Sequence, residues 1–161
     1  MSLERTRAVP KMRLQLEDFL PYRLSVLTNL VSTAIAGAYR ERFGLSIPEW
    51  RVLAVLANSP DLSAAQVAQR TAMDKVAVSR AVRSLLKSTR LERRMARADR
   101  RRSVLRLTAA GREVHAGVAP FALAYERALL EPLTRRERMA LDRTLAVLLG
   151  RALQIGARTK G

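Results

Sequence analysis

The stretch from Arg70 to Thr108 constrains this 161-residue chain most, because it carries most of the positive charge. Between Arg70 and Arg106 there are 13 Lys and Arg residues against 3 acids, a net charge of +10 out of +16 for the whole chain. The apolar residues in this stretch are spaced first as in a short helix and then as in two strands around an Arg-rich tip. Such a concentration indicates a surface for a polyanion, and duplex DNA admits a helix followed by a β-hairpin in its grooves.

The amino-acid composition excludes several classes of functional site. The chain has no Cys and a single His, so disulfides, thiol chemistry and thiolate zinc sites are excluded, and a Ser–His–Asp site is not supported. No apolar run approaches 18 residues and the N-terminus lacks a signal-peptide pattern, so we expect a cytoplasmic protein without a membrane partner. Gly-rich phosphate loops are missing as well, and we predict no enzyme activity, no cofactor and no metal.

Sequence signals for helix ends divide the chain into six helices. Asp18 is predicted to cap a long amphipathic helix with Pro21 in its first turn, and Gly44 is predicted to end that helix. Asp74 and Thr108 are predicted to cap two further helices, the second running to residue 133 with a kink at its internal Pro. Capping-box patterns begin the other three helices. These pairs are Ser46–Glu49, Ser63–Gln66 and Thr134–Glu137.

Three short helices, the last beginning at Asp74 after a four-residue turn, predict a helix-turn-helix. The helix from Asp74 to Lys87 has an apolar face, which is predicted to be buried: Val78, Val82, Leu85 and Leu86. Its other face carries small and basic side chains that suit a DNA groove. These are Lys75, Ala77, Ser79, Arg80 and Arg83. A solvated basic face is the alternative interpretation.

The predicted hairpin pairs a strand at 91–95 with a strand at 104–107. Six Arg residues lie between residues 93 and 102. Because they repel one another, solvation accounts for their exposure but not for their clustering, which favours contact with DNA. The residues offered to phosphates here are Arg93, Arg94, Arg97 and Arg101.

Several motifs resemble the winged helix-turn-helix of the multiple-antibiotic-resistance regulator (MarR) family. They include IPEWRVL at 47–53, DK followed by VSR at 74–80, and DRR at 99–101 followed by LTAAGR at 107–112. The resemblance implies a mainly α-helical fold with a small β-hairpin wing, and an obligate homodimer joined through its terminal helices. It also implies that the helix from Asp74 to Lys87 reads the major groove. Arg101 at the wing tip would enter the minor groove, held in place by Asp99.

The chain departs from the family pattern at Thr89-Arg90, where members usually have Gly-Leu. Thr is β-branched and disfavours the left-handed conformation that Gly takes at a helix end. We therefore expect the turn into the wing to differ, and Arg90 to contact a phosphate instead of the core.

The predicted domains are an N-terminal arm with a long dimerisation helix at 1–45, a winged helix-turn-helix at 46–108, and C-terminal dimerisation helices at 109–161. The first, fifth and sixth helices each show an apolar stripe, and a small winged domain offers too little surface to cover all three. A homodimer on a pseudo-palindromic duplex is therefore favoured, with an intramolecular bundle as the alternative.

Ligand sensing is implied by the resemblance, since family members often bind small aromatic or phenolic anions between the dimerisation helices and the winged domain and then release DNA. Arg23, Trp50 and His115 are the candidate lining residues, offering a cation, a stacking surface and a titratable donor. Trp50 as a core residue and Arg23 as a solvated one are the alternatives.

The sequence as a whole thus predicts a sequence-specific DNA-binding transcriptional regulator, with a repressor favoured and an activator as the alternative. A sequence-indifferent nucleic-acid-binding module is the alternative. The seven aromatic residues lie mostly at apolar helix positions and not along the basic stretch, so the stacking platforms of single-strand binders are missing.

Overall fold

The computed structural model describes residues 14–95 and 103–158. These residues form six α-helices and one two-stranded antiparallel hairpin, after a short 3-10 turn at Leu16–Asp18. In chain order the elements are α1 Leu20–Phe43, α2 Ile47–Asn58, α3 Ala64–Thr71, α4 Lys75–Lys87, β1 Leu91–Met95, β2 Ser103–Leu107, α5 Ala109–Leu130 and α6 Arg135–Arg158. The prediction of a mainly α-helical chain with a small β-hairpin wing is confirmed.

The chain divides into two compact units, one ending at Ile47 and the other beginning at Pro48. The first unit contains α1, and the second contains the helix-turn-helix, the hairpin and the last two helices. The finer division into three functional domains, with boundaries at residues 45 and 108, stays a prediction.

The beginning of α1 differs by one residue from the prediction. Asp18 is not the N-cap of α1; that position is occupied by Phe19, which makes no side-chain capping bond. Asp18 instead closes the preceding 3-10 turn, in which its N–H donates to the carbonyl of Gln15 at 3.3 Å. Because an N-cap residue has an extended backbone, the cap falls on the first extended residue after that turn. The other end is as predicted, with Gly44 in the left-handed conformation at φ 62°.

The turns of the helix-turn-helix are fixed by side-chain caps, as predicted. The Ser63 hydroxyl accepts from the Gln66 N–H at 3.3 Å, and the Gln66 side chain accepts from the Ser63 N–H at 2.9 Å. The Asp74 carboxylate accepts from the N–H groups of Val76 and Ala77 at 2.9 and 2.8 Å. These bonds satisfy N–H groups that a helix leaves open at its first turn.

The core of the second unit lies among α2, α3, α4 and the hairpin. The apolar face of α4 is buried at Val78, Val82 and Leu85, and Ala81 lies buried beside them. Leu86, which was predicted to be buried as well, is only half-buried. It lies at the edge of the apolar stripe, because it follows Leu85 by 100° around the helix. The other large core side chains of this unit are Val52, Leu53, Leu56, Leu62, Val67, Leu91, Val104, Leu105, Leu107 and, from α5, Val118.

The hairpin has a register in which Leu91 faces Leu107 and Met95 faces Ser103. A third backbone segment, missed from the sequence, joins it through an isolated bridge between Leu62 and Leu105. The Leu105 N–H donates to the Leu62 carbonyl at 2.8 Å, and the Leu105 carbonyl accepts from the Asp61 N–H at 3.1 Å. The α2–α3 turn is therefore bonded directly to the wing.

The last two helices begin at their predicted caps. The Thr108 hydroxyl accepts from the Gly111 N–H at 3.0 Å, and Thr134 with Glu137 forms a reciprocal pair in which the Thr134 N–H donates to the carboxylate at 2.8 Å. Helix α5 contains Pro120 and ends at Leu130, three residues before the predicted end at 133. The residue at 132 is a Pro, whose missing N–H cannot continue the helix.

Candidate functional site

The outward face of α4 presents the side chains that the sequence singled out. Lys75, Ser79, Arg80 and Arg83 are all exposed, and Ala77 is half-buried. The opposite face of α4 is held in the core by side chains that are at most 4% exposed. The basic face of α4 is thus exposed to solvent, while the packing of the opposite face holds the helix in position.

The first strand of the wing meets α4 at a shallow hollow of about 190 Å³. Ser79 and Arg83 of α4 line this hollow together with Arg93 of β1. Arg94, the next residue of β1, pairs with Glu92 at 2.8 Å. The structure therefore brings together Ser79, Arg83 and Arg93, as a combined helix and wing surface requires. Arg97, Asp99 and Arg101 lie outside the described residues, so their predicted roles stay predictions.

The junction between α4 and β1 keeps the left-handed turn in spite of Thr89. This residue has φ 56°, so the expectation that the turn would differ is wrong. The Arg90 N–H donates to the Leu85 carbonyl at 2.9 Å and the Thr89 N–H donates to the Leu86 carbonyl at 3.1 Å, the bond pair of a Schellman motif. The Thr108 hydroxyl donates to the Thr89 carbonyl at 2.7 Å. The phosphate contact expected of Arg90 stays a prediction.

The same junction explains why residue 111 is a glycine. A Cβ atom placed on Gly111 would lie 2.0 Å from the carbonyl oxygen of Arg90. The Thr108 N–H donates to that same carbonyl at 3.2 Å. The first turn of α5 therefore lies directly against the backbone that leads from α4 into the wing.

The base of the wing carries an ion pair that sequence reasoning missed. Arg106 of β2 donates through Nε to the Asp61 carboxylate at 3.0 Å and through Nη2 to the second carboxylate oxygen. The hydrogen bond to Asp61 raises the pKa of Arg106 above its usual value. Because the partners are 45 residues apart, only the folded chain shows the pair.

A second candidate site lies near the start of α5. The rings of Trp50 and His115 stack with their centroids 5.4 Å apart and their planes inclined by 18°. Burial lowers the pKa of His115 below its usual value of 6.5, so the neutral imidazole is favoured. Both residues are half-buried, and the structure brings these two candidate residues together, while their role in ligand binding stays a prediction. Arg23 is exposed on α1 in the first compact unit.

His115 also borders a pocket with a volume of about 550 Å³. The sequence did not indicate two cations in the lining, Arg106 and Arg112. Arg112 donates to the Leu107 carbonyl at 2.9 Å. The other lining residues are Leu56, Ala57, Asn58, Pro60 and Leu107. Because Arg106 is already paired with Asp61, the apolar wall and the Arg112 guanidinium are the features of this pocket that suit a small organic anion.

Within the described part of the chain, no group of three or more His, Asp or Glu side chains is arranged to hold a metal ion. None of the helices in residues 14–95 and 103–158 is long and apolar enough to cross a membrane.

A capped helix-turn-helix with an antiparallel hairpin bonded against it defines a winged helix-turn-helix protein. A sequence model of the MarR family matches residues 43–102. The MarR/EmrR family transcriptional regulator from Acinetobacter sp. ADP1 is similar at 28% identity and a TM-score of 0.81, over 88% of this chain and 99% of that one. Residues 43–102 of this chain are therefore similar to the MarR family, and the fold of the described residues is that of MarR-family transcriptional regulators.

Two other solved structures show the same fold at lower identity. PcaV from Streptomyces coelicolor, in complex with its natural ligand, has 21% identity and a TM-score of 0.70, over 87% of this chain and 98% of that one. CouR from Rhodococcus jostii RHA1, bound to p-coumaroyl-CoA, has 20% identity and a TM-score of 0.74, over 84% and 95%. No curated protein sequence matches the chain.

Proposed function

We propose that this protein is a transcriptional repressor that binds a pseudo-palindromic DNA duplex as a homodimer. The observation that carries the proposal is the outward face of α4, where three basic side chains surround Ser79 on a helix whose other face is buried. A helix mounted in this way fits the major groove, which is wide enough to admit it.

Within this interface the residues take different roles. Ala77, Ser79 and Arg80 lie where a helix in the groove reaches base edges, and we assign base reading to them. The remaining basic residues are assigned to phosphates, which fix the register of the protein on the duplex. They are Lys75, Arg83, Arg93, Arg94 and Arg97. Arg101 is assigned to the minor groove, with Asp99 holding its guanidinium.

Dimerisation is supported by apolar side chains that this chain leaves uncovered. Helix α1 exposes Leu27 and Leu30, and α6 exposes Leu145 and Leu148 among other residues. Monomeric proteins rarely expose apolar stripes of this length. A second copy of the chain would cover them and would place two α4 helices about 34 Å apart, one turn of DNA.

Release of DNA by a small aromatic or phenolic ligand is the second part of the proposal. The Trp50–His115 stack and the pocket bordered by Arg112 offer an aromatic surface and a cation in the second compact unit. PcaV and CouR were each solved with a bound ligand, which supports ligand binding on this fold. Arg23 is retained as a candidate contact from α1.

A selection of bound duplexes from a random pool, followed by competition, tests the DNA-binding proposal. We expect a pseudo-palindrome whose affinity falls with salt at a log–log slope of about −9 for a dimer that neutralises roughly five phosphates per subunit. A slope shallower than about −3 contradicts the proposed interface. Equal affinity for selected and random duplexes favours a sequence-indifferent nucleic-acid-binding module.

Two variants separate base reading from backbone contact. Arg80→Ala is expected to change which bases are tolerated at one position in each half-site, by about 1–3 kcal/mol. Arg101→Ala is expected to weaken binding to all sequences, most in narrow A·T-rich minor grooves. Equal losses for operator and random duplex with Arg80→Ala would contradict the assignment of α4.

A further inference from the structure

Val76 is a large apolar side chain on the otherwise polar outward face of α4. It is 59% exposed, and within α4, all of which is described, no other large apolar side chain is exposed. Its exposure contributes nothing to the core, which α4 supplies through Val78, Val82 and Leu85. A β-branched residue also forms an exposed helix less readily than Ala or Lys does. Neither folding nor helix propensity therefore explains a valine here.

The position of Val76 is more informative than its exposure, since single exposed apolar residues are common. It precedes Ser79 by three residues and Arg80 by four, so the three side chains lie along one stripe of the helix. Arg83 continues that stripe one turn further on. The N–H of Val76 is bonded to Asp74, which fixes the first turn of α4. Any duplex that meets Ser79 and Arg80 therefore also meets Val76.

The chemistry of the major groove supplies one apolar counterpart for such a side chain. Thymine carries a C5 methyl group at the groove surface, whereas cytosine carries only a hydrogen at C5 and no other base presents a methyl group there. The basic side chains beside Val76 attract the duplex electrostatically. The isopropyl group of Val76 can add to the binding free energy only by excluding water from an apolar group such as a methyl. We propose that Val76 packs against the C5 methyl group of a thymine and makes the protein select thymine at one position in each half-site.

This inference rests on the proposed function and adds a specificity-determining residue to it. Its test replaces each thymine of the selected operator by deoxyuridine, which lacks only the methyl group. For the wild type we expect one position per half-site where the replacement weakens binding by about fourfold, the effect of one buried methyl group, and by about 15-fold when both half-sites are changed.

The decisive comparison uses Val76→Ala on the same duplexes. The variant should bind the thymine operator about as weakly as the wild type binds the deoxyuridine operator, and it should no longer distinguish the two. Because the side chain is exposed and Ala is the better helix former, its unfolding temperature should not fall. Arg80→Ala is the matched control from the same stripe, and it should keep the preference for thymine over deoxyuridine.

The outcomes separate this inference from the function on which it rests. If the wild type prefers the selected duplex but responds to no deoxyuridine replacement, or if Val76→Ala keeps the full preference for thymine, the assignment of Val76 is overturned and the proposed function stands. If the wild type binds selected and random duplexes equally, both are overturned.

Discussion

Helices α4 and α6 begin in the same way and lie in opposite surroundings. Each starts at a side-chain cap, Asp74 for α4 and Thr134 with Glu137 for α6. Helix α4 then buries four side chains that are at most 4% exposed, whereas none of the residues of α6, all of which are described, is buried. The local sequence therefore determines where each helix begins. The tertiary contacts determine whether its apolar face is buried in the core or stays exposed.

The two helices also differ in their contacts with the rest of the chain. The turn that follows α4 is bonded to the rest of its unit, because the Thr108 hydroxyl donates to the Thr89 carbonyl. Leu145, Leu148 and Leu153 of α6 are 44%, 38% and 64% exposed. The contrast teaches that α4 is positioned by its own chain, while α6 is available to a second one.

Breaking the surface of α6 should have the largest effect. We expect Leu148→Glu to convert a dimer into monomers and to lower operator affinity by at least about 100-fold, since two linked half-site contacts become independent. Sedimentation and duplex titration measure the two effects. Val147→Glu, on the neighbouring residue about 100° around the helix, is the control and should retain both properties. A dimeric Leu148→Glu variant with unchanged affinity would contradict the assigned dimer surface.

The same Gly→Ala substitution at Gly111 and at Gly150 compares the packed region around the wing with the exposed helix α6. Gly111→Ala should destabilise the protein by about 1–3 kcal/mol, because the new methyl group overlaps the Arg90 carbonyl oxygen. Gly150→Ala should stabilise it by about 0.5–1 kcal/mol, since no atom lies within 4 Å of the new Cβ and Ala favours a helix. Gly150 is nine residues from Leu141 and so faces the opposite side of α6. Denaturant unfolding of both variants checks the pair, and equal effects would contradict it.

Thr89 provides a smaller test at the end of α4. Thr89→Gly should stabilise the protein by roughly 0.5–1 kcal/mol, because relief of the left-handed strain exceeds the greater chain entropy of glycine. The side chain of Thr89 is exposed, so little packing is lost. Ser88→Gly is the control, since Ser88 has φ −84° and no such strain to relieve. A loss of stability for both variants would show that the Thr89 turn is not strained.

His115 should give the smallest effect, visible as a pH dependence. Because burial holds the pKa of His115 below its usual 6.5, the unfolded chain takes up a proton first as the pH falls. Stability from the neutral imidazole is therefore present above about pH 6.5 and is lost below it. His115→Gln should flatten the fall in unfolding temperature between pH 7.5 and 5.5. Parallel curves for the two proteins would contradict this assignment.

Much of the fold followed from short-range rules in the sequence. Capping pairs such as Ser63 with Gln66 involve residues three apart, and the chain forms them as predicted. The exception at Asp18 arose because a 3-10 turn occupied that residue. The exposed face of α4 could likewise be read from helical spacing, although Val76 was overlooked because it is apolar.

The features that escaped prediction join distant parts of the chain. No pattern in the sequence indicates that Asp61 pairs with Arg106. The close approach of Gly111 to the Arg90 carbonyl likewise cannot be predicted from the sequence. The cations beside His115 were missed for the same reason, because a pocket forms only when α2, β2 and α5 come together. Side-chain spacing reveals faces of helices, whereas such contacts depend on tertiary structure.

The bond between Asp61 and Arg106 also affects how this region opens. The two residues are 45 apart, and the interval contains α3, α4, β1 and most of β2. Closing a loop of that length costs on the order of 3 kcal/mol of chain entropy, and this cost is offset only when the helices and strands within the loop pack together. We therefore expect the backbone amides of α3, α4 and the hairpin to exchange with deuterium as one cooperative unit.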